Sequence, residues 1–238
     1  MNIINLSFLL CFMGHGLCDF LPLLQTLNKN ILINYIFFIF INCYVYTINH
    51  SISTLIFIII SSMHFSEDFY PFNKIKFPGL GFYILGAPIL SDYTSYYECL
   101  DFIDIQNKEL FLLMMYFGGI LGIINTNIKY EIFFIIVYTI ISLFFGIYSV
   151  LFYMLYYHLP ISIIILSNKY KLSNIFIILG LGTLLMLCIY VFCYTLVIDL
   201  VILYKDYFIG IMFGILNSHS LTTILWRSNE KILTLFIL

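Results

Sequence analysis

Charge is what this chain has least of. Asp, Glu, Lys and Arg make up 9% of its 238 residues, against about 25% in a soluble domain. That scarcity excludes an ordinary soluble fold. The net charge of −2 excludes the basic surface that a nucleic acid would require. Six cysteines show no CxxC and no paired spacing, which argues against a disulfide framework. The N-terminus has neither a basic leading region nor a small-x-small cleavage site, so it reads as a mature helix and not as a signal peptide. No GxGxxG, P-loop or GxSxG occurs, which leaves nucleotide and serine-hydrolase chemistry without support. Alanine appears once, at Ala87, while Ile, Phe, Tyr, Asn and Leu abound. That bias looks like the codon usage of an AT-rich genome, so much of the 19% aromatic content follows from composition alone.

What the chain does have is apolar length. Hydrophobic residues make up 63% and mean hydropathy is +1.06. Apolar runs near 3–25, 31–49, 51–68, 109–125, 131–146, 147–167, 174–204 and 207–226 approach the roughly 20 residues that cross a bilayer core as helix. They do not alternate as barrel strands would. The prediction is an all-α, polytopic transmembrane bundle of seven or eight helices. It forms one integral membrane domain over residues 1–238, multi-pass in a cell membrane or a host's internal membrane. Residues 71–108 differ: Pro71, Pro78 and Pro88, three glycines and an acidic stretch predict an interfacial loop or flap with a small re-entrant helix.

Five histidines occur: His15, His50, His64, His158 and His219. His50 stands at a helix connection, where solvation explains it. The other four lie in or at the end of apolar helices, where ionisable groups are costly and usually face a cavity or one another. Two of them repeat a spacing: "GHGLCDF" pairs His15 with Asp19, and "HFSEDF" pairs His64 with Asp68. Positions four apart share a helix face, so each Asp can reach its own His. A metal-ligating imidazole usually donates its second ring N–H to a carboxylate, and imidazole-rich sites suit iron, zinc or copper. A buried histidine is, however, more often a hydrogen-bonded packing residue than a ligand. The pairs would serve equally as a proton relay or a structural network. Asp199 has no such context, and Glu67 beside Asp68 reads as the mark of a helix end.

"GHGLCD" resembles the PHGxxD motif, and "SSMHFSED" the SxxHFGxxD motif, of the Brp/Blh family of β-carotene 15,15'-dioxygenases. "GLGFYILGAPIL" resembles that family's Gly- and Pro-containing segment, and "YMLYYHLPIS" its YFxxWHSxRH helix. The order agrees over roughly residues 10–225. The resemblance implies a membrane enzyme holding non-haem Fe(II) through histidines. It would split the central double bond of β-carotene with O2 to give retinal, often for a microbial rhodopsin. By the same resemblance His15, His64 and His158 are the catalytic iron ligands, with Asp19 and Asp68 behind them. Tyr153, Tyr156 and Tyr157 flank His158 and would line an apolar tunnel for the polyene, although ordinary packing explains them equally well in a chain of twenty tyrosines.

The chain departs from the family twice. Met13 and Gly14 stand where the first motif has its Pro, and Ser162 stands where the last motif has its second His. His219, in "NSHS", lines up loosely with a late histidine of the family and would complete the set. A three-His site with water, or a diverged and inactive chain, are the other arrangements left open. The opposing class is non-enzymatic: a proton-linked transporter, or a metal-free carotenoid-binding relative.

Overall fold

The computed structural model describes residues 29–69, 79–102, 104–124, 129–158, 160–161 and 205–228. The runs expected at 3–25 and 174–204 lie outside them, as do His15, Asp19, Ser162 and Asp199. Among the described residues the fold is all-α, without strands.

The apolar runs become helices close to their expected limits. The first described helix, α1, covers Lys29–Ile48 and α2 covers His50–Ser66. Asn49 separates them in extended conformation, and its side chain accepts from the Ile52 amide, an N-cap for α2. His50 is not simply solvated: its ring stacks on Tyr46 at 4.4 Å. Further along, α5 covers Lys108–Ile124, α6 covers Lys129–Phe145 and α8 covers Lys205–Ser228. The run at 147–167 opens as α7, Tyr148–Tyr153, and passes into a π-helical turn at Met154–His158.

Residues 79–102 contain the expected short helix, but buried and not laid over a face. They form α3 (Gly79–Gly86), a 3-10 turn (Ala87–Leu90) and α4 (Tyr93–Phe102). Rather than cover a face, α3 sits in the middle of the core with seven of its eight residues buried. Its glycines make this possible. A Cβ on Gly81 would stand 1.8 Å from the Ser62 carbonyl oxygen, so α2 and α3 touch backbone to backbone. The Gly81 amide completes that contact by donating to Ser66 Oγ at 2.9 Å. On its other side Phe82 packs with Met115, Phe111 and Leu112 of α5.

Helix α8 is held against both α1 and α2. Asn217 Nδ2 donates to Asn42 Oδ1 at 2.7 Å, and Phe213 stacks on Phe57 at 4.8 Å. Among the described residues no helix is long and apolar enough to cross a membrane. The 17-residue helices α2, α5 and α6 rise roughly 25 Å at 1.5 Å per residue, short of a core about 30 Å thick.

Candidate functional site

Three of the four singled-out histidines meet. His64 comes from the last turn of α2, His158 ends the π-helical turn and His219 lies in α8. The His64 ring centroid is 4.7 Å from that of His158 and 5.1 Å from that of His219, both edge to face. All three are buried, at 1 to 4% exposure.

Two neighbouring carboxylates each reach a histidine. Glu67 does mark the end of α2, as its C-cap, and is buried with Oε2 3.6 Å from His64 Nδ1. Asp68 reaches across to His158, whose Nδ1 hydrogen-bonds its Oδ2. The cause is local backbone geometry. Past Ser66 the amides of Asp68 and Phe69 bond three residues back, to Phe65 O and Ser66 O at 3.3 Å each. A 3-10 turn places i and i+3 in line, so Glu67 comes under His64 and Asp68 is swung towards the neighbouring element.

The π-helical turn supplies the other half. On an α-helix, residues five apart diverge by about 140°; a wider i→i+5 turn brings them back in line. Tyr153 and His158 accordingly stack, centroids 6.0 Å apart and 24° between planes. The Tyr153 hydroxyl also donates to Asp68 Oδ2, with Phe65 O within reach at 3.2 Å. Asp68 Oδ2 thus receives both the Tyr153 hydroxyl and the His158 ring.

The three tyrosines part company. Tyr153 is buried and committed to Asp68, and Tyr157 packs half-buried between Phe69 at 5.5 Å and Phe134 at 5.1 Å. Tyr156 is 74% exposed and stacks on Phe152, so it faces away from the histidines. Phe65, unremarked in the sequence, packs edge to face on His158 at 5.2 Å.

Three buried imidazoles, one oriented by a carboxylate, are a donor set that fits a borderline divalent ion. As they stand, no group of three or more His, Cys, Asp or Glu side chains among the described residues is arranged to hold a metal ion. Closing on one would take side-chain rotation. No family model, no curated protein and no solved structure matches the chain.

Proposed function

We propose that the chain is a multi-pass membrane enzyme that cleaves the central double bond of β-carotene, or a related carotenoid, with O2 at a histidine-held Fe(II) to give retinal. The observation that carries this reading is the meeting of His64, His158 and His219 from three separate elements. His64 and His158 fall in the motifs that resemble the Brp/Blh family. The membrane reading is supported by an outer surface rich in large apolar side chains: Phe40, Ile124, Phe133 and Phe144 are each more than two-thirds exposed. Monomeric soluble proteins rarely leave such surface uncovered, and short helices are accommodated by local thinning of the bilayer.

In this reading His64, His158 and His219 bind the ion, joined by His15. Asp68 orients the His158 ring, and Glu67 takes the corresponding place behind His64. A ferrous ion held there would offer open coordination positions at which O2 could be activated towards the alkene. One carbon–carbon double bond and one O2 are consumed, and each aldehyde product takes one oxygen atom. The protein's own part is to align the polyene and exclude water, and positioning alone can lower a barrier substantially.

A second reading, a metal-free carotenoid-binding or proton-linked membrane protein, would use the same buried His–carboxylate contacts, Asp68 with His158 and Glu67 with His64. Expression in bacteria that accumulate β-carotene separates the two. Retinal appearing with the wild type and not with His64→Ala supports the oxygenase. Carotene persisting beside well-folded wild-type protein contradicts it.

A further inference from the structure

We infer that the outer face of α5 and α6 fits a bilayer with a thin hydrocarbon core, and that α4 marks the water boundary of that bilayer. This rests on the membrane part of the proposed function and on none of its chemistry. From Leu110 to Ile124 every exposed side chain of α5 is apolar, and the same holds for α6 from Ile132 to Phe145. The polar groups are turned inward: Tyr138 and Ser142 of α6 are buried, with Ser142 Oγ donating to Ser149 Oγ at 3.2 Å. Lipid chains demand that arrangement, because they offer polar groups no partner. On the far side of the molecule α1, packed on α8 through Asn42, exposes Phe37, Phe40 and Ile48 as well. A second copy of the chain would cover one such side; a bilayer covers them all.

The start of α5 and the end of α6 meet the same element. Lys108 lies over the Tyr97 ring of α4 at 4.4 Å and pairs with Asp101. Just past α6, the Ile147 amide donates to Asp92 Oδ2 at 3.2 Å. Here the exposed side chains become polar, with Thr94, Glu98, Asp101, Asp104, Asn107 and Glu109. Tyr93 and Tyr97, with ring centroids 5.9 Å apart on α4, are the residue type that gathers where lipid meets water. At the opposite end of α5 the sequence turns polar again, at Asn125, Thr126 and Asn127. The apolar stretches are shorter than the 17 residues of each helix, a rise of less than about 25 Å. An ordinary core is about 30 Å thick. A short span favours a thinner bilayer, so short-chain lipids are the better partner.

The test uses the full chain in phosphatidylcholine vesicles with myristoleoyl, oleoyl or erucoyl chains, in order of increasing length, without iron or carotenoid. The unfolding temperature of the wild type is expected to be highest in the myristoleoyl vesicles and to fall as the chains lengthen. An optimum with oleoyl or erucoyl chains overturns the thin core. Contact with lipid is read separately, in a Trp226→Phe background. Phe117→Trp on α5 and Phe133→Trp on α6 should each lose most of their emission to lipid brominated in mid-chain. Thr94→Trp on α4 should instead be quenched by aqueous iodide. Two probes on different helices keep the test sound where one substitution disturbs folding. Probes on α5 and α6 that ignore brominated lipid overturn the inference, and cross-linking between copies then tells whether a second chain covers the face. A wild type that does not enter vesicles rejects the inference and the membrane reading together. A myristoleoyl optimum in a chain that yields no retinal keeps the inference and rejects only the enzyme.

Discussion

Asp68 holds His158, a residue 90 positions away in the chain, while Glu67 takes the place beside His64. Each carboxylate thus serves a different histidine, and the assignment is open to a double-mutant cycle. Asp68→Asn is expected to weaken divalent metal binding by about 10–100-fold. In a His158→Ala background the same substitution should have little further effect, because coupled residues are non-additive. In a His64→Ala background it should keep its full effect. Isothermal titration with Co(II) on the four chains of each cycle measures this. Equal penalties in both backgrounds would show that Asp68 does not act through His158.

Much of this architecture was legible in the sequence. Apolar runs located α1, α2, α5, α6 and α8 because length and hydropathy are one-dimensional properties. His64, His158 and His219 stood out because an imidazole in an apolar helix needs a reason. The carboxylate pairing was not legible. It depends on where α2 gives way to a 3-10 turn, a shift of one residue that "HFSED" does not announce. The short helix α3 was legible but its burial was not, since the contact of Gly81 with the Ser62 backbone exists only after folding. Tyr153 was read as substrate lining because its partner lies 85 residues away.

The close approach at Gly81 makes a stability prediction. Gly81→Ala forces a methyl into the Ser62 carbonyl at 1.8 Å, so α2 and α3 must separate. A loss of ~3 kcal/mol is expected, at the upper end of overpacking effects. Gly118→Ala meets the Phe82 side chain at 2.7 Å, a longer approach and not to a backbone carbonyl, and should cost less. Thermal unfolding of the two variants in detergent checks the order.

Glu131 is the clearest opportunity for stabilisation. It lies in the first turn of α6 at 2% exposure, and among the described residues neither carboxylate oxygen has a hydrogen-bond partner. An unsatisfied buried polar group costs about 1–3 kcal/mol, more if charged. Glu131→Met should therefore raise the melting temperature. A lower melting temperature would mean that the carboxylate is held by something outside the described residues.

Asp92 predicts a pH dependence. Its Oδ1 accepts from the Ser95 amide at 3.4 Å, capping α4, and its Oδ2 accepts from the Ile147 amide at 3.2 Å, at the start of α7. Gly146, at φ 55°, makes the turn between α6 and α7; a Cβ there would lie 2.6 Å from Asp92 Oδ2. Burial pushes the Asp92 carboxyl up, but hydrogen bonds from Ser95 and from the Ile147 amide outweigh it and hold it below its ordinary value of 3.8. A carboxyl depressed on folding contributes stability that is present above its unfolded value and lost as pH falls through the folded one. Melting temperatures should therefore drop below about pH 4 in the wild type and less steeply in Asp92→Ala. That variant should also lose about 1 kcal/mol of capping at neutral pH.

The most direct measurement is the iron content of the purified chain after anaerobic reconstitution with Fe(II), beside His64→Ala, His158→Ala and His50→Ala. The account predicts stoichiometric iron in the wild type and in His50→Ala, with loss in the other two. A folded wild type that takes up no iron, or uptake indifferent to His64 and His158, would contradict it.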